Sequence, residues 1–216
     1  KYFSSFGFHE FILCLGFKGN VIREFFYNYH LYVNDVTIRI GYRSCDKLYD
    51  KVQENWEITL VDTGLYNMTG SRIFQIRKYI KDENFFITYG DGVGDIDLNS
   101  LTQFHMQHEK ILTVTGVRPP GRFGELRSSN NIVTQFNEKP QTTSGRISGG
   151  YFLANKKLFN YLEDDENLVF EEKPVNELVL QKEFMVFNHN GFWHPMDTRR
   201  EHQTLNDLYY RKKAPW

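Results

Sequence analysis

Apolar residues come in two textures along this chain. Phe11-Ile12-Leu13-Cys14-Leu15 and Phe85-Phe86-Ile87-Thr88-Tyr89 are short continuous runs. Such runs predict strands buried on both faces of a sheet. Residues 36–40 and 58–61 also read as strands. Between them the spacing turns helical, at 21–29 and at 71–80, where Ile73, Ile76 and Ile80 share one face. Leu98–His108 predicts a further helix, with Asp97 or Asn99 as its cap. Strands alternating with helices imply an α/β domain whose sheet is largely parallel.

After residue 110 the texture changes. Strands are expected at 111–117, 132–136 and 147–153, separated by short polar or Gly-Pro turns. Helices at 156–162 and 175–182, a strand at 186–189 and a helix at 200–212 complete the chain. No repeat or linker interrupts it. The 216 residues fit one domain of mixed, mostly parallel sheet flanked by helices.

Composition narrows the function classes. Hydrophobic residues make up 40% and aromatics 16%, enough for a sizeable core without disulfides. The net charge of −1 provides no basic excess for a nucleic-acid partner. There is no 18-residue apolar run to span a membrane and no secretory signal, so a cytoplasmic location is expected. Cys14 lies in an apolar run, the usual place of a buried reduced thiol, and no C-x-x-C spacing suggests zinc.

The strand at 85–89 runs into Gly90-Asp91-Gly92. In open α/β sheets ligands sit beyond the carboxyl ends of the strands. Flanking glycines let the backbone approach a bulky ligand closely. A carboxylate there suits Mg²⁺, which is held by one or two carboxylates plus substrate phosphates. The competing reading is a plain turn in which Asp91 makes a local side-chain hydrogen bond. Asp95 and Asp97 raise a calcium loop, but its bidentate Glu is missing at the required distance. Asp197, after the aromatic segment Gly191-Phe192-Trp193-His194-Pro195-Met196, offers a second carboxylate. It also suits a cap for the helix that follows, and both roles are compatible.

Other stretches are weaker taken singly. The polar loop Val61-Asp62-Thr63-Gly64-Leu65-Tyr66-Asn67-Met68-Thr69-Gly70-Ser71-Arg72 precedes a helix whose amides suit a base or an anion. Glu138-Lys139, at a strand end, suits sugar hydroxyls and a phosphate, or is a solvated charge pair. His105 and His108 lack the H-E-x-x-H pattern and read as surface or edge residues.

In this order the motifs resemble the glucose-1-phosphate cytidylyltransferase family of sugar nucleotidyltransferases. The resemblance rests on Gly16-Phe17-Lys18-Gly19, Thr59-Leu60-Val61-Asp62-Thr63-Gly64, Met68-Thr69-Gly70 and Thr88-Tyr89-Gly90-Asp91-Gly92-Val93. It continues through Pro119-Pro120-Gly121-Arg122-Phe123-Gly124, Glu138-Lys139-Pro140, Gly149-Gly150, Gly191-Phe192-Trp193, Pro195-Met196-Asp197-Thr198 and Lys213-Ala214-Pro215-Trp216. Glu-Lys-Pro marks the wider class, whereas Pro-Pro-Gly-Arg-Phe-Gly and Gly-Phe-Trp with Pro-Met-Asp-Thr point to the cytidylyl branch.

The resemblance implies a Rossmann-like nucleotide-diphospho-sugar transferase fold, with residues 1–110 the nucleotide half and 111–216 the sugar half. It implies CTP and glucose 1-phosphate as substrates, Mg²⁺ as cofactor and a symmetric homo-oligomer. Phe25-Phe26-Tyr27-Asn28-Tyr29 then suits an interface or the core. By the same resemblance Asp91 and Asp197 share the metal. Asn67, Arg72 and Gly90 line the nucleotide, with Thr69 and Gly70 near the base. Gly124, Glu138, Lys139 and Gly150 face the glucose 1-phosphate.

Ser71 departs from the family, which usually has a second glycine there, and its side chain is expected to crowd the nucleotide or alter the loop. The family also opens on a strand and a G-G-x-G-T-R-L loop that clamps the triphosphate. That segment, roughly 35–40 residues, the size of a strand–loop–helix unit, is not in this sequence. The 216 residues alone are therefore expected to be inactive and poorly stable. Rival readings are a uridylyl- or thymidylyltransferase of the same fold, a non-catalytic sugar-nucleotide-binding module, and a metal-dependent glycosyltransferase. Glu138-Lys139-Pro140 argues against the last.

Overall fold

A computed structural model describes residues 1–38, 40, 45–49, 54–119, 125–129, 132–137 and 145–216, with backbone alone at 45–49, 125–128 and 136–137. The chain opens with α1 (Tyr2–Ser5), β1 (Glu10–Leu15), α2 (Gly19–Tyr27), α3 (Tyr29–Val33), β2 (Asp35–Ile38) and β3 (Cys45–Tyr49). Then come β4 (Glu57–Asp62), α4 (Thr69–Gln75), β5 (Asn84–Thr88), β6 (Gly92–Gly94), α5 (Leu98–His108) and β7 (Leu112–Val117). A hairpin of β8 (Glu125–Ser129) and β9 (Ile132–Asn137) precedes β10 (Ile147–Asn155) and α6 (Lys173–Leu180). Last are β11 (Phe184–Asn188), β12 (Trp193–Pro195) and α7 (Arg199–Tyr210). 3₁₀ helices at Ile76–Tyr79 and Lys156–Tyr161 stand where α-helix was expected.

Two compact units result. One holds Phe3–Lys81 and Phe159–Pro174; the other holds Asp82–Leu158 and Val175–Trp216. In the first, β1 and β4 pair in parallel from Glu10↔Glu57 to Leu15↔Asp62. The run at 11–15 is not buried on both faces as its composition predicts. Leu15 is buried and Phe11 to Cys14 are half-buried. Among the described residues β1 has only β4 as a sheet neighbour, so the flanking side chains that cover a central strand are lacking. Cys14 is a free thiol whose pKa burial pushes up, with nearby Arg72 pulling the other way. Phe25 and Tyr27 are exposed, and Phe26 and Tyr29 border a cavity of about 630 Å³ with Trp56, Ile58 and Leu60.

The second unit is built on a mixed four-stranded sheet in the order β11-β7-β10-β5. The β11–β7 pair is parallel, and β10 is antiparallel to both β7 and β5. Every residue of β7 is buried, because it lies between two neighbours. The edge strand β5 is half-buried, again less than its apolar run predicts. Asp97 caps α5, its carboxylate accepting from the amides of Asn99 and Ser100.

His105 is not a surface residue, and His108 is half-buried. Helical spacing turns both onto Thr113 of β7, and His105 is 2% exposed. The Lys110 amide donates to His108 Nδ1 at 2.9 Å, so the ring proton sits on Nε2. That N–H donates to Thr113 Oγ1 at 2.7 Å, and the threonine hydroxyl donates to His105 Nδ1 at 2.7 Å. Burial, then His108, push the His105 pKa down to about 4. Burial also lowers that of His108, beside the Lys110–Glu183 ion pair.

A base with a lowered folded-state pKa binds protons more readily when unfolded. Its contribution is complete above about pH 6.5 and is lost as pH falls towards 4. Between pH 7.5 and 5 His105 is expected to cost about 2 kcal/mol of stability. Urea denaturation at the two pH values measures this. His105→Gln, which keeps a polar partner for Thr113 but does not titrate, is expected to remove most of the loss.

Candidate active site

The site residues fall into two groups, one in each unit. In the second unit β5 leads into the turn carrying Gly90 and Asp91, and β6 follows. The ribbon of β6 and β12 pairs antiparallel, with Gly92 opposite Pro195. The Met196 amide donates to the Asp91 carbonyl at 2.7 Å, so Asp197 stands one residue past the partner of Asp91. Two hydrogen bonds pin this ribbon to β10. Trp193 Nε1 donates to the Gly149 carbonyl at 2.9 Å, and the Tyr151 hydroxyl donates to the Gly92 carbonyl at 3.1 Å.

Gly150 joins the same cluster. Its carbonyl accepts from the Tyr89 amide at 3.2 Å, and its φ of +75° is one that side-chain-bearing residues rarely adopt. A Cβ on Gly149 would lie 2.7 Å from Val117 Cγ1. At Gly90 a Cβ would meet open space, so this glycine leaves room above the turn.

Both aspartates are exposed. Among the described residues neither carboxylate has a hydrogen-bond or ion-pair partner. Asp91 therefore makes no local side-chain bond of the kind that would reduce it to a turn residue. Nor does Asp197 cap α7: Thr198 does, its hydroxyl accepting from the Glu201 amide in a capping box. The calcium-loop reading also fails on contacts. Asp95 Oδ1 lies 2.9 Å from His189 Nε2, and Asp97 is engaged at α5. Two adjacent unpartnered carboxylates fit an ion that takes its remaining ligands from substrate phosphates and water. Among the described residues no cluster of three or more metal-ligating side chains exists.

In the first unit the loop from Thr63 to Arg72 leaves the carboxyl end of β4, next to the parallel carboxyl end of β1. Gly64 has φ +86°, and its amide donates to Asp62 Oδ1 at 3.0 Å, an Asx turn. The Arg72 guanidinium staples the two strand ends. Nη1 donates to the Leu15 carbonyl at 3.2 Å and to Thr63 Oγ1 at 2.8 Å. Nη2 donates to the Leu65 carbonyl at 3.4 Å.

The amino end of α4 does not serve as an anion site. The Gly70 and Ser71 amides donate to the Leu168 carbonyl at 2.8 and 3.2 Å, and the Met68 amide donates to Glu166 at 2.8 Å. Thr69 Oγ1 donates to Glu171 at 3.0 Å and accepts from the Phe170 amide at 2.9 Å. Gly70 is a glycine because a Cβ would lie 2.8 Å from both the carbonyl and Cγ of Leu168. The Met68, Gly70 and Ser71 amides that the sequence offered to a base or an anion are thus engaged within the protein. Ser71 is 1% exposed, and its Oγ accepts from Asn67 Nδ2 at 3.0 Å.

Gly124, Glu138 and Lys139 lie outside the described residues. The sequence reading missed Thr63, the 166–171 segment, and the Trp193 and Tyr151 pins. Each acts through partners 9 to 102 residues away, so no local pattern marks it.

The nucleotidyl transferase family model matches residues 47–196. Glucose-1-phosphate cytidylyltransferase of Salmonella typhi is 42% identical over the whole of this chain and 84% of its own length. The chain belongs to the glucose-1-phosphate cytidylyltransferase family. A probable member from Bacillus subtilis (strain 168) is 35% identical over the same shares of the two chains. HddC from Yersinia pseudotuberculosis shares the fold, with a TM-score of 0.64 at 18% identity over 96% of this chain and 82% of that one. The mixed sheet with flanking helices is thus the fold of the nucleotidyl transferases.

Proposed function

We propose that this protein transfers a cytidylyl group from CTP to α-D-glucose 1-phosphate, giving CDP-glucose and pyrophosphate. Membership of the cytidylyltransferase family supports the substrates. The observation that carries the site is the pair of exposed, unpartnered carboxylates of Asp91 and Asp197 on adjoining strand ends.

In this reaction a phosphate oxygen of glucose 1-phosphate attacks the α-phosphorus of CTP. The bond from that phosphorus to the oxygen of the β-phosphate breaks, and pyrophosphate leaves with its electron pair. A phosphate monoester has its second pKa near 6, so the nucleophile is already mostly a dianion at pH 7. No general base is required. The task is to bring two anions together in line, and positioning supplies about 7–11 kcal/mol of such a barrier. Asp91 and Asp197 would hold Mg²⁺, whose charge offsets that of the reacting phosphates. Gly90 leaves the turn open to the nucleotide, and Gly150 belongs to the sugar side. Asn67 and Arg72 belong to the nucleotide side, with Thr69 and Gly70 shaping the loop that meets the base. Such chemistry on CTP suits a cytoplasmic protein, and among the described residues no helix is long and apolar enough to cross a membrane.

The test is calorimetric titration of the protein with nucleotide sugars in the presence of Mg²⁺. CDP-glucose contains the cytosine, the bridging diphosphate and the glucose, the parts that the proposed reaction joins. It is expected to bind at least about tenfold more tightly than UDP-glucose or dTDP-glucose. Equal or tighter binding of either competitor would overturn the cytidylyl assignment.

A further inference from the structure

The ribbon that presents Asp91 and Asp197 is short and nearly bare. β6 is Gly92-Val93-Gly94, and it pairs with Trp193–Pro195. Gly-rich strands specify their register weakly, since few side chains interlock. Register nevertheless decides the site. With Gly92 opposite Pro195, the Met196 amide meets the Asp91 carbonyl and Asp197 comes next. A slip of two residues would keep every side chain on its face and move Asp197 about 7 Å along the ribbon. Mg²⁺ bonds its oxygens at about 2.0–2.1 Å, so one ion would no longer reach both carboxylates.

A side-chain clamp closes the far end of this ribbon. Just past Gly94, the Asp95 amide donates to the Phe192 carbonyl at 3.1 Å. His189 Nε2 lies 3.1 Å from the same carbonyl and 2.9 Å from Asp95 Oδ1. A carbonyl only accepts, so Nε2 carries a proton and donates to it. Asp95 Oδ1 is buried and, among the described residues, accepts no hydrogen bond. The imidazole N–H beside it offsets the cost of burying that oxygen. His189 is itself fixed to the four-stranded sheet. Its amide donates to the Gly116 carbonyl of β7 at 3.0 Å, and its carbonyl accepts from Arg146 Nη1 at 2.7 Å. The fit needs a glycine at 191, where a Cβ would run into Asp95 Oδ1 and lie 2.7 Å from His189 Cε1. Trp193 and Tyr151 hold the two strands of the ribbon to β10, whereas the clamp ties those strands to each other.

Resting on the metal reading above, we propose that Asp95 and His189 are positioning residues that lock the register of the ribbon and so keep Asp91 and Asp197 within reach of one ion. They act through the ribbon, not on the metal or the substrate.

The test has two readouts. Hydrogen exchange of the Met196 amide, followed by NMR in the metal-free protein, reports its bond to Asp91. Titration with CDP-glucose at graded Mg²⁺ gives the concentration needed for half-maximal binding. His189→Leu is expected to speed Met196 exchange at least about tenfold and to leave Val114 and Phe152, in the neighbouring sheet, at wild-type rates. It is expected to raise the Mg²⁺ requirement about 10–100-fold. His189→Gln, which places an N–H₂ where the ring N–H was, is expected to restore most of both. Asp95→Asn keeps the size, removes the charge and is expected to shift both readouts the same way by less; it carries the test if His189→Leu does not fold. The proposal is overturned if Met196 exchange is unchanged, if exchange rises equally at Val114 and Phe152, or if His189→Gln recovers neither readout. Wild-type binding that ignores Mg²⁺ overturns the metal reading and this inference with it. A wild type that needs Mg²⁺ beside variants that need no more of it overturns the inference alone.

Discussion

Replacing Asp91 with asparagine is expected to weaken CDP-glucose binding about 100-fold in the presence of Mg²⁺ and to abolish its dependence on the metal. Asparagine keeps the size and the turn geometry of Asp91 but removes the charge. Among the described residues the carboxylate has no protein partner, so the loss cannot come from a broken salt bridge or cap. Stability is therefore expected to change by less than about 0.5 kcal/mol, the usual range of an exposed substitution away from structural contacts. Asp197→Asn is expected to behave alike, because Thr198, not Asp197, caps the following helix. The two changes combined are expected to cost little more than either alone, since both act through one ion. Titrations of the three variants with and without Mg²⁺, alongside thermal melts, check this. A large fall in melting temperature without loss of metal dependence would show that the carboxylates are structural.

Arg72→Ala is expected to lower the stability of the protein by about 2–4 kcal/mol. The guanidinium donates to the Leu15 carbonyl and the Thr63 hydroxyl, and so ties the ends of β1 and β4. Thr63 is fully buried, and a charged donor to it is worth more than a neutral one. The fit is close: a Cβ on Gly16 would lie 2.7 Å from Arg72 Nη2, so the glycine lets the guanidinium sit against the turn. Lysine has no planar fork and is expected to recover less than half of the loss. Urea denaturation followed by circular dichroism measures both variants. A change under about 0.5 kcal/mol in Arg72→Ala would mean that the staple does not hold the strand ends. Three of the five guanidinium donors are engaged in this way.

The strands that the sequence shows are those whose apolar side chains form a run. β1, β4, β5, β7 and β10 fall within two residues of their expected limits. β3, β6 and β8 do not show, and their pairing defines them instead. Gly92-Val93-Gly94 has almost no side chain to pack and is a strand only because Trp193–Pro195 lies beside it. Degree of burial is also hidden, because a run such as Phe11–Leu15 reveals its apolarity but not how many neighbours cover it.

At the site, Asp91 is legible from a strand ending between two glycines. Its freedom from local bonding is not, since that depends on Asp97 rather than Asp91 serving α5. The status of the α4 amides is equally invisible, as their acceptors lie about a hundred residues away in the 166–168 segment. The same holds for His105, where a helical face that looks polar is buried by the hydroxyl of a neighbouring strand.

The central claim is that Asp91 and Asp197 share one metal ion. A crystal of the protein grown with Mn²⁺ and CDP-glucose tests it most directly, because Mn²⁺ takes the oxygen ligands of Mg²⁺ and scatters anomalously. The expected result is a single anomalous peak at the Asp91 and Asp197 carboxylates. A peak on other residues, or none beside bound CDP-glucose, would contradict it.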